Sequence, residues 1–109
     1  MAFDEALGAR MRGITEECPG VTSKKMFGGL CFLLEGKMFA GIVGEQLMAR
    51  IGKANWESAL ARPHVSEMDF TGRSMKGYVY VAPEGISDDA ALGEWLEMAR
   101  TFVREEVLG

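Results

Sequence analysis

The stretch MFGGLCFLLEGKMFAGIVGEQLMARI, residues 26–51, decides the fold. It is apolar along most of its length, and two residue pairs that favour two-residue hairpin turns interrupt it, Glu35-Gly36 and Gly44-Glu45. Gly supplies the positive φ angle that such turns need. The stretch therefore predicts three short antiparallel strands joined by two hairpins. The predicted strands are residues 26–34, 37–43 and 46–51.

Apolar residues recur at helical spacing on both sides of this stretch. Upstream, the apolar stripe begins after Asp4, which can cap a first helix, and it ends at the Pro19-Gly20 pair. Downstream, Asn55 is predicted to cap a short helix that stops before Pro63. Near the end of the chain, Ser87 is predicted to cap a last helix, which carries a continuous apolar stripe.

The segment between the second and the last predicted helix is extended. Aromatic and β-branched residues alternate in Tyr78-Val79-Tyr80-Val81, a composition typical of a pleated sheet. We predict strands over residues 67–70 and 77–82, joined by a turn at residues 71–74. The predicted order αβββαββα is that of an α+β fold, with a mainly antiparallel five-stranded sheet and helices packed on it.

Length and composition are those of an ordinary globular chain. The 109 residues are 48% hydrophobic and 26% charged, which predicts a single domain over residues 1–109. Twelve Lys and Arg residues against sixteen Asp and Glu residues give a net charge of −4, which argues against a dedicated nucleic-acid binder. Without an 18-residue apolar stretch or a signal-peptide pattern, we expect a cytoplasmic protein with no membrane partner.

Both alternating sets of side chains are non-polar in the first two predicted strands. A sheet with one face in water should alternate with polar residues, and the three predicted helices suffice for one face. The other face would carry Phe27, Leu33 and Phe39 and would expose apolar surface that monomers seldom expose. This pattern predicts a homodimer, or another regulatory protein docked on that face. The alternative is that the helices divide between both faces.

Few residues could carry catalysis. His64 is the only histidine, and with Cys31 and Asp69 it could form a nucleophilic set. Cys31, however, lies among apolar residues in mid-strand, where burial makes a thiol unreactive. The chain has no CxxC, HxxxH or HExxH spacing for a metal, and the Gly52-Lys53 pair lacks the other residues of a P-loop. We therefore predict that the protein is not an enzyme and has no catalytic residue, metal or cofactor.

Arg50 is the strongest candidate for a binding role, because it lies in the otherwise apolar segment LMARI. A partly buried Arg needs a carboxylate or carbonyl partner, so a structural ion pair is the favoured role and ligand contact the second. In the second case Arg50, Asp69 and Arg73 would line a pocket in which the two arginines bind an anionic ligand.

Four basic residues near turns could contact nucleic acid, since bases can stack on aromatic rings beside basic groups. These residues are Lys24, Lys25, Arg73 and Lys76. Four scattered cations on a chain of net charge −4 would bind only weakly, so a solvated edge is the favoured interpretation.

Four segments carry a resemblance to a known family. They are residues 21–29 (VTSKKMFGG), 36–41 (GKMFAG), 47–50 (LMAR) and 68–81 (MDFTGRSMKGYVYV). With them the chain resembles the TfoX N-terminal domain family, and the last segment is similar to that of stand-alone, single-domain members. The resemblance implies an α+β fold of the secretion-chaperone-like type, in the order predicted above. It offers no catalytic residues to carry over.

Founding members of that family regulate bacterial competence gene expression and carry a second, C-terminal domain, which we expect this chain to lack. The first functional hypothesis is therefore a non-catalytic regulatory module that acts by protein interaction. The alternative is a small anionic-ligand binder or enzyme with a pocket near Arg50 and Arg73. Direct DNA contact is the weakest of the three.

Overall fold

The computed structural model describes the backbone of residues 4–26, 29–70 and 73–109, and their side chains except at positions 26, 69, 70 and 73–75. The helices are α1 (Glu5–Thr15), α2 (Lys53–Leu60) and α3 (Asp89–Phe102). The strands are β1 (Val21–Met26), β2 (Gly29–Leu34), β3 (Lys37–Val43), β4 (Gln46–Arg50), β5 (Val65–Phe70) and β6 (Arg73–Val81). A 3₁₀ turn at Pro83–Ile86 precedes α3, and a π-helical segment at Val103–Val107, here called the π segment, continues it.

The six strands of the described chain form one sheet in the order β1-β2-β3-β4-β6-β5, and every neighbouring pair is antiparallel. The predicted α+β fold with an antiparallel sheet is confirmed. The number of strands is corrected from five to six, because β1 precedes the predicted strands, and Met26, predicted in the strand over positions 26–34, belongs to β1 and pairs with Gly29 of β2.

β1 was absent from the prediction because its sequence, VTSKKM, has no apolar alternation. Lys24 and Lys25 are exposed on it, and lysine is typical of edge strands, where it discourages pairing with another chain. The predicted turn at residues 71–74 is also corrected. Arg73 and Ser74 belong to β6, where they pair with Phe70 and Asp69, whereas residues 71 and 72 lie outside the described chain.

Two of the three predicted helix caps are wrong. Asp4 is confirmed, since its Oδ1 accepts hydrogen bonds from the N–H groups of the first turn of α1. The cap of α2 is Gly52 rather than Asn55, whose side chain instead donates to the Ile51 carbonyl at 3.1 Å. The cap of α3 is Asp88 rather than Ser87. Before α3 the candidate caps Ser87 and Asp88 are adjacent, whereas Asn55 lies inside α2, which begins two residues before it.

All three helices cover the same face of the sheet. Buried residues of α1, α2 and α3 join one core cluster with the strand residues whose side chains share a face, so the alternative of helices on both faces is not realised among the described residues. The strand members are Leu30, Phe32, Leu34, Phe39, Ala40, Ile42, Leu47, Ala49, Val79 and Val81. In the described part of the chain, none of the helices has the length and apolar character needed to cross a bilayer.

An irregularity in the β2–β3 pairing changes which side chains enter this core. Phe32 lies opposite Ala40 and Leu33 opposite Met38, so Phe39 is an extra residue on β3, as in a β-bulge. Phe39 and Ala40, although adjacent, are both fully buried in the same cluster. Simple alternation places these two residues on opposite faces, and this is why Phe39 was predicted on the uncovered face.

Candidate functional site

A cleft of about 750 Å³ lies where β4 ends and α2 begins, and the C-terminal part of the chain closes its other side. We call its two sides the sheet wall, with Arg50, Lys53 and Lys76, and the helix wall, with Glu97, Glu105 and Glu106. Apolar contact surface between the walls comes from Tyr78, Met98 and Phe102. Its volume is within the range of small-molecule binding sites.

Two glycines build the base of the cleft. Gly52 has φ 87° and Gly77 has φ 93°, and the Gly77 carbonyl accepts hydrogen bonds from the N–H groups of Ile51 at 2.8 Å and Gly52 at 3.1 Å. A Cβ atom on Gly52 would lie 2.5 Å from ring atoms of Phe102. Glycine is therefore required at position 52 both for its backbone angle and for the close approach of the α3 ring.

Arg50 ends β4, opposite Tyr78 of β6, and is half-buried at the edge of this base. Its guanidinium carbon lies 5.7 Å from the ring centroids of both Tyr78 and Phe102, and its Nη1 donates to the Met38 carbonyl at 3.4 Å. The structural ion pair predicted for Arg50 is not found, since none of the ion pairs among the described residues includes it. Two aromatic rings and one backbone carbonyl contact the guanidinium group of Arg50, where a carboxylate was predicted.

Further positive charge lies beside Arg50 on the sheet wall. Lys53 is the first residue of α2, Lys76 lies on β6, and both are exposed. α2 has no side-chain cap at Gly52, so the N–H groups of its first turn receive no acceptor from that residue. The positive end of a helix dipole adds to the attraction of this wall for an anion.

The helix wall carries the opposite charge. Glu105 and Glu106 belong to the π segment, and both are exposed. Glu97 of α3 forms an ion pair with Arg100 at 2.5 Å. The cleft therefore has cations on one side and carboxylates on the other, with aromatic and thioether groups between them.

The residues predicted for ligand or nucleic-acid contact do not all meet. Arg50 and Lys76 line the cleft, whereas the side chains of Asp69 and Arg73 lie outside the described set. Lys24 and Lys25 are on β1, separated from β6 by three strands. With strands about 4.8 Å apart, that separation is about 19 Å. The four basic residues thus do not form one patch around Lys24 and Lys25.

The residues predicted for a dimer face are also dispersed. Phe27 lies outside the described residues, Leu33 is half-buried, and Phe39 is inside the core with none of its surface exposed. On the helix-free face Cys31 and Met48 are buried within the single chain, and Val43 is the exposed large side chain of that face, at 46%. The homodimer stays a prediction, but the broad apolar exposure that motivated it is not present among the described residues.

The residues considered for catalysis are separated as well. Cys31 is on β2 and His64 precedes β5, so β3, β4 and β6 lie between them in the sheet. Burial raises the pKa of the Cys31 thiol, and the charge of Lys24, opposite it on β1, offsets only part of this increase. Among the side chains that the structure describes, which exclude that of Asp69, no cluster of three or more His, Cys, Asp or Glu residues could hold a metal ion.

Sequence reasoning missed Lys53, the glycine pair and the helix wall. The Gly52-Lys53 pair was considered only as a P-loop, and its isolated glycine at a strand end was the signal that the backbone turns sharply there. No local signal links Glu105 and Glu106 to Arg50, because they lie about fifty positions apart and line the same cleft only after the chain has packed.

Comparisons with known proteins give a family and no individual relative. The model of the TfoX N-terminal domain family matches residues 14–103 of the chain. No curated protein and no solved structure matches it. The matched residues include β4, α2, β6 and all of α3, so the sheet wall of the cleft and its glycine base lie within the matched part.

Proposed function

The chain belongs to the TfoX N-terminal domain family, and we propose that it acts as a non-catalytic module that binds a small ligand with an anionic group in the cleft. The proposal adopts the alternative predicted from the sequence, a binder of a small anionic ligand near Arg50, and keeps the non-catalytic character of the first hypothesis; protein interaction through the helix-free face stays a prediction. The unreactive state of Cys31 supports a non-catalytic role. Burial raises the pKa of its thiol, which is therefore protonated and poorly nucleophilic at neutral pH.

The single observation that carries this proposal is the set of partners of Arg50. A half-buried guanidinium has five N–H donors, and the structure gives it one carbonyl at 3.4 Å and no carboxylate among the described residues. The rings of Tyr78 and Phe102 flank it and restrict its orientation. A guanidinium fixed in this way is suited to bind a carboxylate or phosphate through two parallel hydrogen bonds.

Other groups of the sheet wall would also stabilise a bound anion. Lys53 and Lys76 place two more positive charges at the same opening, and neither forms an ion pair within the described chain. The uncapped first turn of α2 supplies N–H groups nearby. The ligand's anionic group therefore has charge, hydrogen-bond donors and aromatic contact available from one wall.

We expect replacement of Arg50 by Gln to reduce ligand affinity at least tenfold, because a charge-assisted bidentate contact is lost. The measurement is thermal unfolding with inorganic phosphate, succinate, benzoate or trialanine, each of which carries an anionic group. A ligand at ten times its Kd stabilises the folded state by about 1.4 kcal/mol, which corresponds to a rise in Tm of about 6 °C for a domain of this size.

The matched control is Arg12→Gln, which removes an exposed arginine of α1 outside the cleft. It should leave the ligand-induced rise in Tm unchanged. The proposal is contradicted if none of the four compounds stabilises the wild type at millimolar concentration, or if Arg50→Gln and the wild type respond equally.

A further inference from the structure

Resting on the proposed binding at the cleft, we propose that its ligand is a linear zwitterion of about tripeptide size, with a carboxylate at one end and a free amine at the other. The sheet wall takes the carboxylate, the helix wall takes the ammonium group, and the apolar surface between the walls contacts the neutral middle of the molecule. The class of ligand is thus a short peptide with both termini free, or a chemically similar amino acid derivative.

The first argument is the segregation of charge. The three cations Arg50, Lys53 and Lys76 come from β4, α2 and β6, whereas the three carboxylates come from α3 and the π segment. Within the part of the chain that the structure describes, no ion pair crosses from one wall to the other. The three cations, and Glu105 and Glu106 among the carboxylates, are therefore available to a ligand that lies between the walls, whereas Glu97 is paired with Arg100.

The second argument is the balance of charge in the cleft. Glu97 is already paired with Arg100, so the three cations of the sheet wall are matched mainly by Glu105 and Glu106, and the charges of the two walls nearly cancel. An anion bound at Arg50 would have Glu105 and Glu106 facing it, and an amine bound at those carboxylates would have Lys53 facing it. A molecule with both charges avoids either repulsion and gains attraction at each end.

The third argument is the lining between the walls. Met98 and Phe102 of α3 and Tyr78 of β6 add thioether and ring surfaces to the lining of the cleft. A thioether adapts its shape to different side chains, and aromatic rings contact peptide groups and small aliphatic groups. An extended tripeptide spans about 10 Å, and the cleft volume of about 750 Å³ is large enough for it.

The test compares three peptides of equal length by isothermal titration calorimetry on the complete chain at neutral pH. Trialanine has both charges, N-acetyl-trialanine has only the carboxylate, and trialanine amide has only the amine. We expect trialanine to bind at least tenfold more tightly than either blocked peptide. If N-acetyl-trialanine binds as tightly as trialanine and this binding requires Arg50, the zwitterion proposal is wrong while anion binding in the cleft stands. If none of the three binds, the zwitterion proposal is wrong, and anion binding in the cleft is then decided by the thermal unfolding with phosphate, succinate and benzoate.

A double variant tests whether the ammonium group of trialanine binds to the helix wall. Glu105→Gln with Glu106→Gln should lower the affinity for trialanine at least fivefold and leave the affinity for N-acetyl-trialanine unchanged or increased. The matched control is Glu16→Gln with Glu17→Gln, an adjacent exposed acidic pair next to α1 and outside the cleft. Equal affinities of the two double variants for trialanine would overturn the assignment of the amine to the helix wall.

Discussion

Replacement of Phe39 by Asp is expected to leave the chain unfolded at room temperature. Phe39 is fully buried in the core cluster, and loss of a core Phe ring alone costs about 3–5 kcal/mol. An unpaired carboxylate buried in its place adds a further penalty, so the total approaches the full stability of a small domain, about 5–15 kcal/mol. Far-UV circular dichroism and urea unfolding measure the result.

Val43→Asp is the control on the same strand, because Val43 is 46% exposed on the helix-free face. It should change the free energy of unfolding by no more than about 0.5 kcal/mol. A Phe39→Asp protein that stays folded and only changes its number of subunits would place Phe39 on a surface, as the alternation of apolar residues first predicted. That outcome would contradict the β-bulge and the core described above.

Gly52→Ala is expected to have the second largest effect, a loss of about 3 kcal/mol or more. Gly52 has φ 87° and ψ 158°, a backbone conformation almost confined to glycine, and an added methyl group would lie 2.5 Å from the Phe102 ring. The cleft depends on the same contact, so the variant should also lose ligand binding. Urea unfolding gives the stability, and calorimetry with trialanine gives the affinity.

Substitutions at two other glycines distinguish the cost of the positive φ angle from the cost of the clash with Phe102. Gly36 has φ 85° but open space for a methyl group, so Gly36→Ala should cost only about 1–2 kcal/mol for the backbone angle. Gly13 is exposed within α1 with no neighbour near an added Cβ, so Gly13→Ala should stabilise the chain by about 0.5–1 kcal/mol. A Gly52→Ala effect no larger than that of Gly36→Ala would show that the Phe102 contact is easily relieved.

Much of the fold could be predicted from local patterns. Hairpin glycines and apolar runs located β2, β3 and β4, and helical spacing located all three helices. β1 could not be found in this way, because an exposed edge strand needs few apolar residues. Its extended conformation depends on its pairing with β2, which no local pattern predicts. The bulge at Phe39 was equally hidden, since a one-residue irregularity leaves no mark on composition and reverses the face assigned to every residue beyond it.

The candidate site was predictable only in part. Arg50 stood out because a charged residue in an apolar strand is unusual, yet its partners could not be deduced. They are two rings and a carbonyl, and the Phe102 ring comes from α3, about fifty residues away in the sequence. Periodicity assigns such a residue to an apolar stripe and does not say what it packs against. The opposition of Glu105 and Glu106 to the sheet wall is likewise a consequence of packing.

The most direct test of the central claim, that the cleft is the binding site, is an NMR titration of ¹⁵N-labelled protein with trialanine. We expect the largest amide shift changes on residues around the cleft base and walls, above all Gly52, Lys53 and Gly77, and on the facing part of α3. Changes concentrated instead on the β1 edge or on Val43 and Leu33 of the helix-free face, or no changes at millimolar peptide, would contradict it.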